Sequence, residues 1–186
     1  MTNFIPGKVV KRFRVKNISV VLRYPKWEDL DGLLDHMNAL ISERAKIGKS
    51  RKFSKYEEID FLNSVFKKSE LRDMIYIVIE SGNKIMGSGN LAREQMEKSR
   101  HVGYIGLSLR KEFRDLGVGT ELINTLVKLG KKELGLSLFK ISLVAGNERA
   151  LHVYQNKCGF KVVGRVPGEI DHFGTKMDHL IMVKEV

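Results

Sequence analysis

The residues of this chain whose types and spacing are best suited to chemistry are Arg114-Asp115-Leu116-Gly117-Val118-Gly119-Thr120. They lie between an apolar run, Val102 to Leu109, that reads as a strand, and a stretch from Thr120 to Lys132 with helical periodicity. A glycine-rich turn that leaves a strand and opens a helix offers several N–H groups to one anion, and the helix dipole adds partial positive charge there. Two glycines spaced as Gly117-x-Gly119 let the main chain approach a phosphate with no Cβ in the way. The segment is a candidate phosphate cradle. A Walker loop would need a lysine between its last glycine and the Ser/Thr, but Thr120 follows Gly119 directly. The dinucleotide fingerprint would need a third glycine where Leu122 stands. Neither a nucleoside triphosphatase nor a Rossmann domain is expected.

Other reactive side chains are less sharply patterned. Tyr154 lies on a short helix, where a phenol can either pack in a core or donate a proton. Glu43, Glu94, Glu112, Asp178 and His101 are candidate bases, and no spacing selects among them. His36, His101, His152, His172 and His179 show no His-x-x-x-His or Cys/His ligand spacing, so no metal site is expected. Cys158, beside Gly159 at a helix end, reads as a small packed side chain rather than a nucleophile.

These residues need a frame to hold them. A chain of 186 residues, 42% hydrophobic and 30% charged, suits one well-packed domain over 1–186. Lys and Arg outnumber Asp and Glu by 33 to 22, and the net charge of +11 favours polyanionic ligands. A single cysteine cannot form an intramolecular disulfide, and the first residues lack the apolar core of a secretory signal, so a cytoplasmic location is expected. No apolar stretch approaches the roughly 18 to 20 residues that a bilayer-crossing helix needs, and no membrane partner is expected.

Periodicity places the elements. Residues 1–17 are basic and form an extension or an edge strand, after which Val20 to Arg23 reads as a strand. Leu30, Leu33, Leu34, Met37, Leu40 and Ile41 mark one face of a helix ending near Gly48. Ser54 and Glu57 form a capping-box pattern for a second helix. Met74 to Ile79 and Lys84 to Leu91 flank Ser81-Gly82-Asn83 as a hairpin. After the strand, glycine turn and helix that ends near Gly135, Phe139, Ile141 and Leu143 alternate as a strand should. Asn147 opens a helix through Lys157, and a final hairpin is expected to turn around Pro167-Gly168. The result is a mixed α/β domain with a largely antiparallel central sheet flanked by helices.

This order, together with four stretches, resembles the GNAT superfamily of acyl-coenzyme A dependent N-acyltransferases. The stretches are Leu107-Ser108-Leu109 followed by Arg114-x-x-Gly117-x-Gly119, then Asn147-x-x-Ala150, Tyr154, and Gly159-Phe160, in the family's order and spacing. They cover residues 101 to 166 closely. The resemblance implies a sheet with two strands splayed around the coenzyme, acetyl-CoA as cosubstrate, and direct transfer of its acetyl group to a primary amine. It implies that Leu107, Ser108 and Leu109 meet the pantetheine arm through the main chain, and that the N–H groups of Asp115, Leu116, Gly117, Val118, Gly119 and Thr120, with Arg114, receive the pyrophosphate. Asn147 would bond the pantetheine from the opposite lip, Ala150 would let the arm pass, and Tyr154 would be the general acid for the leaving thiolate. Asp178 and Met182 are similar to an Asp-x-x-x-Met ending found in several branches.

The second reading is a basic binding module for nucleic acid that keeps the acyl-coenzyme A fold. Its support is charge alone, and nucleic acid is not the expected partner. A homodimer is compatible with the sequence. The basic Lys8 to Lys16 run reads as a solvated face. The resemblance implies that the Arg44 to Lys55 loop borders the acceptor entrance, where its charge is expected to disfavour polycationic amines.

Overall fold

In a computed structural model, which describes residues 4–186, eight strands form one sheet in the order β1-β2-β3-β4-β5-β6-β8-β7. They are β1 (Val9–Val15), β2 (Ile18–Arg23), β3 (Met74–Ser81), β4 (Lys84–Arg93), β5 (Val102–Leu109), β6 (Leu138–Val144), β7 (Lys161–His172) and β8 (Thr175–Glu185). Every neighbouring pair is antiparallel except β5 with β6. The helices are α1 (Leu30–Ser42), α2 (Lys55–Glu70), α3 (Val118–Leu134) and α4 (Glu148–His152), the last continued by a π-helical turn over Val153–Lys157. This is the mixed, mostly antiparallel α/β architecture expected from the periodicities.

The two-residue alternation of the strands sorts the core into two layers. Ile75, Ile77, Ile79, Leu91 and Ile105 bury themselves against Leu122, Ile123 and Leu126 of α3. Tyr76 and Val78 face the other way, against Leu33 of α1 and Leu62 and Val65 of α2. Each such side chain contributes about 1.5–3 kcal/mol by leaving water. Arg23 fastens the start of α1 to the sheet: its guanidinium holds Asp29 at 2.6 and 2.7 Å and Glu80 of β3 at 2.7 Å. The Ser54–Glu57 capping box forms as its spacing predicts, and Gly135 ends α3 with φ +66°.

Of the extension and the edge strand expected for the basic N-terminal run, the structure has the edge strand, β1, and Lys11 on it pairs with Glu121 in the first turn of α3. Two local expectations are corrected. Helix α1 ends at Ser42 rather than Gly48, because Arg44 adopts φ +51° and breaks the helical path. Pro167-Gly168 is not the hairpin turn. Strand β7 runs on to His172 and turns at Phe173-Gly174, and Pro167-Gly168 forms a bulge within it.

Candidate active site

Strands β5 and β6 pair only from Val102 to Ile105 and from Leu138 to Ile141. Beyond that point β5 stays with β4 as far as Leu109, β6 stays with β8 as far as Val144, and a gap opens between them. Which groups face the gap follows from the alternation of β5. The carbonyl oxygens of Gly106 and Ser108 point at β4, lying 3.3 and 2.6 Å from where Cβ atoms would stand on Gly89 and Gly87. The main-chain groups of Leu107 and Leu109 therefore face the open side, where strand pairing does not satisfy them. One has a side-chain partner: Arg114 Nε donates to the Leu109 carbonyl at 3.0 Å.

The glycine turn closes one end of this gap. Asp115 takes φ +60° and Gly117 φ +79°, and α3 begins immediately after. Glu121 is the first residue to bond back, its N–H donating to the Gly117 carbonyl at 3.1 Å. The N–H groups of Val118, Gly119 and Thr120 thus have no intrahelical acceptor, which is the condition for an anion cradle. A Cβ on Gly119 would lie 3.3 Å from Leu109 Cδ1, so the start of the helix rests on β5. The Arg114 guanidinium spans from the Leu109 carbonyl to Glu43 at the end of α1, bracing the lip of the gap.

A cavity of about 680 Å³ occupies the gap. Of the residues singled out in the sequence, Leu107, Ser108, Leu109, Arg114, Asp115, Gly117, Gly119, Thr120, Asn147, Ala150 and Tyr154 line it. Leu116 and Val118 are not among its lining residues, because their side chains pack into the core. Asn147 caps α4, its side-chain oxygen accepting from the Ala150 N–H at 3.3 Å, and its amide hydrogens remain as donors. Tyr154 is 9% exposed and sits on the π-helical turn, a distortion that often marks functional positions. Burial, with Cys158 and Tyr104 nearby, raises its pKa, so the phenol stays protonated through the neutral range.

The candidate bases fare differently. Glu43 pairs with Arg114, and Glu94 pairs with Lys140 at 2.9 Å. Asp178 accepts from the Gly168 N–H at 2.9 Å and from Arg165, bonds that hold its carboxyl below the usual range. Glu112 and His101 do not line the cavity. Cys158 is buried, burial pushes its thiol up, and its carbonyl accepts from Lys184 at 2.7 Å, which fits the packed reading. Among the described residues no group of three or more His, Cys, Asp or Glu is arranged to hold a metal ion.

Sequence reasoning missed the residues on the sheet face toward α1 and α2. Ser108 meets His36 Nε2 at 2.9 Å, and His36 is 1% exposed with no partner for Nδ1. Tyr104 of β5 bonds Ser142 of β6 at the base of the gap. His179 lines the cavity, with Nδ1 2.7 Å from Glu169. Lys46 donates to the Gly146 carbonyl at 2.7 Å, and Arg44 lies 5.0 Å from the Phe173 ring centroid, so the loop after α1 roofs the gap. For Tyr104, Ser108 and His179 strand alternation gives a face but no partner.

The parallel pair β5–β6 parts before the glycine turn is reached, and the turn and Tyr154 both line the cavity between the strands. Residues 38–160 match the acetyltransferase (GNAT) family model, and the chain belongs to that family. Its fold is shared with ribosomal-protein-alanine N-acetyltransferase from Brucella melitensis (TM-score 0.79, 19% identity, 89% of this chain and 99% of that one). It is shared as well with ribosomal-protein-S5-alanine acetyltransferase from Vibrio fischeri (0.79, 19%, 94% and 96%). A third is YncA from Salmonella typhimurium, solved with its cofactor acetyl-CoA (0.77, 15%, 89% and 93%). No curated protein sequence matches the chain. Among the described residues no helix is long and apolar enough to cross a membrane.

Proposed function

We propose that this chain transfers the acetyl group of acetyl-CoA to a primary amine, by direct attack while both substrates are bound. The observation that carries the reading is the gap beyond Ile105 and Ile141, which exposes the main chain of Leu107 and Leu109 and is lined by Tyr154. An extended amide-containing arm can fill such a gap as an added strand, using groups that β6 would otherwise satisfy. In this reading the N–H groups at the start of α3 receive the pyrophosphate, and the Asn147 amide donates to the arm from the opposite lip. Leu107 supplies a main-chain donor for the thioester oxygen as negative charge develops there. Tyr154 gives a proton to the departing sulfur, and burial keeps that proton in place until it is needed.

The roof of Lys46 and Arg44 supports an amine whose neighbours are neutral or acidic. The test is thiol release from acetyl-CoA with alanine-initiated peptides, amino acids, aminoglycosides and spermine. Release with at least one amine, together with acetyl-CoA binding in calorimetry, is the expected result. Absence of both overturns the reading, and a preference for spermine at low salt overturns the acceptor preference alone.

A further inference from the structure

The reading above leaves the proton of the acceptor ammonium without a destination, and an amine attacks only after losing it. His179 stands where it can be taken. It lies on β8, opposite Val144 of β6 and Val166 of β7, and lines the same cavity as Tyr154. Residue alternation puts Ser142 and Val144 on the face opposite Ile141 and Leu143, which pack in the α3 core. His179 shares that opposite face, toward α1 and α2, with Tyr104 and Ser108. An acceptor entering from there meets the gap from the side away from α3.

The β7 bulge explains how this histidine acquires its partner. From Val166 to Ile170, β7 takes four steps while β8 takes two, from His179 to Met177. Pro167 has no N–H to offer the ladder, and Gly168 adopts φ +62° with its N–H donated to Asp178. The displaced chain brings Glu169 to His179, with the ring Nδ1 and the carboxylate Oε2 2.7 Å apart. A carboxylate can only accept from a neutral imidazole, so the proton sits on Nδ1 and the lone pair on Nε2.

We propose that His179 Nε2, oriented by Glu169, is the base that deprotonates the acceptor ammonium; this rests on the acetyl-transfer reading. Nε2 takes one proton from the ammonium, and the amine lone pair forms the C–N bond at the thioester carbonyl. The C–S bond breaks, its electron pair leaves on sulfur, and Tyr154 protonates the thiolate. The second amine proton passes to the tyrosinate, and the imidazolium returns its proton to solvent. Other histidines do not compete: His36 is outside the cavity lining, and burial, with Arg110 and Arg114 nearby, pushes its pKa down to about 4. Glu169 of β7 bonds the His179 ring, and the other charged or titratable residues that line the cavity with it are Lys46, Tyr104, Arg114, Asp115, Glu148, Arg149 and Tyr154.

The experiment measures thiol release against pH, using acetyl-CoA and an alanine-initiated tetrapeptide or whichever panel amine is fastest, in wild type, His179→Asn and Glu169→Gln. His179→Asn is expected to lower kcat about 100-fold, to keep acetyl-CoA affinity in calorimetry, and to lose the acidic limb of the profile. Glu169→Gln, at a positioning residue, is expected to lower kcat about 10-fold and to mix the two ring tautomers in the ¹⁵N spectrum. Wild-type kcat and an unchanged acidic limb in His179→Asn would overturn the base while leaving acetyl transfer intact. Lost acetyl-CoA affinity in that variant would also overturn it, by assigning His179 a structural role. A wild type that releases no thiol with any amine overturns both.

Discussion

The two lips of the gap are built by different means. On the β5 lip the working groups are main chain: Leu107 and Leu109 facing outward, and the free N–H groups that open α3. On the β6–β8 lip they are side chains: His179 meets Glu169, ten positions away, and Lys46 reaches in from the loop after α1 to the Gly146 carbonyl. A main-chain site is specified by local conformation, so glycine spacing suffices to write it. A side-chain site of this kind depends on strand register and on a bulge, and neither is written in a few adjacent residues. The contrast predicts a division of labour, with the β5 lip setting coenzyme affinity and the far lip, with Tyr154 below, setting turnover.

The largest expected effect tests the turnover half. Tyr154→Phe keeps the ring that fills the core and removes the hydroxyl, so kcat is expected to fall about 100-fold with acetyl-CoA affinity unchanged. Stopped-flow thiol release at saturating substrates, paired with calorimetry, separates the two quantities. A fall in affinity with kcat intact would reverse the proposed division.

Gly119→Val tests the affinity half. A Cβ there would already lie 3.3 Å from Leu109 Cδ1, and two further methyls would separate the first turn of α3 from β5. The cradle N–H groups then lose their alignment with the open edge of Leu107 and Leu109. The expected result is a roughly 10-fold rise in the acetyl-CoA dissociation constant, with kcat at saturation changed little; an unchanged constant would mean that the cradle is not used.

How much of this was legible in the sequence follows the same line. The glycine turn and the Asn147 cap could be read because each is set within a few residues by φ preferences and capping chemistry, whereas the splay of β5 from β6 was implied only by the family resemblance, since it depends on pairing between distant strands. The α1 terminus was misplaced because Arg44 takes a left-handed φ that sequence does not advertise in an arginine. Pro167-Gly168 was read as a turn because the same pair suits a turn and a bulge, and only pairing with β8 decides between them. That single ambiguity concealed the Glu169–His179 pair. His36 was hidden for a similar reason: its bond joins α1 to β5, and its partner Ser108 is 72 positions away.

His36 and His179 give the smallest effect and the finest test of the comparison, because the two lips each hold one histidine in opposite circumstances. His36 is buried against β5, and burial with two nearby arginines pushes its pKa from 6.5 to about 4. The folded state therefore binds fewer protons than the unfolded chain between those values. Stability is intact above the unfolded pKa of about 6.5 and falls as pH drops toward 4. At about pH 5.5 the loss relative to neutral pH amounts to roughly 1 kcal/mol, since one pKa unit of differential protonation is about 1.4 kcal/mol. His36→Gln removes the titrating ring and leaves an amide that can still bond Ser108. Urea unfolding at neutral pH and at about pH 5.5 is expected to show wild type losing about 1 kcal/mol more than the variant. If both lose the same amount, His36 is charged in the folded protein, and the β5 lip is not the dry, neutral wall that its main-chain chemistry requires.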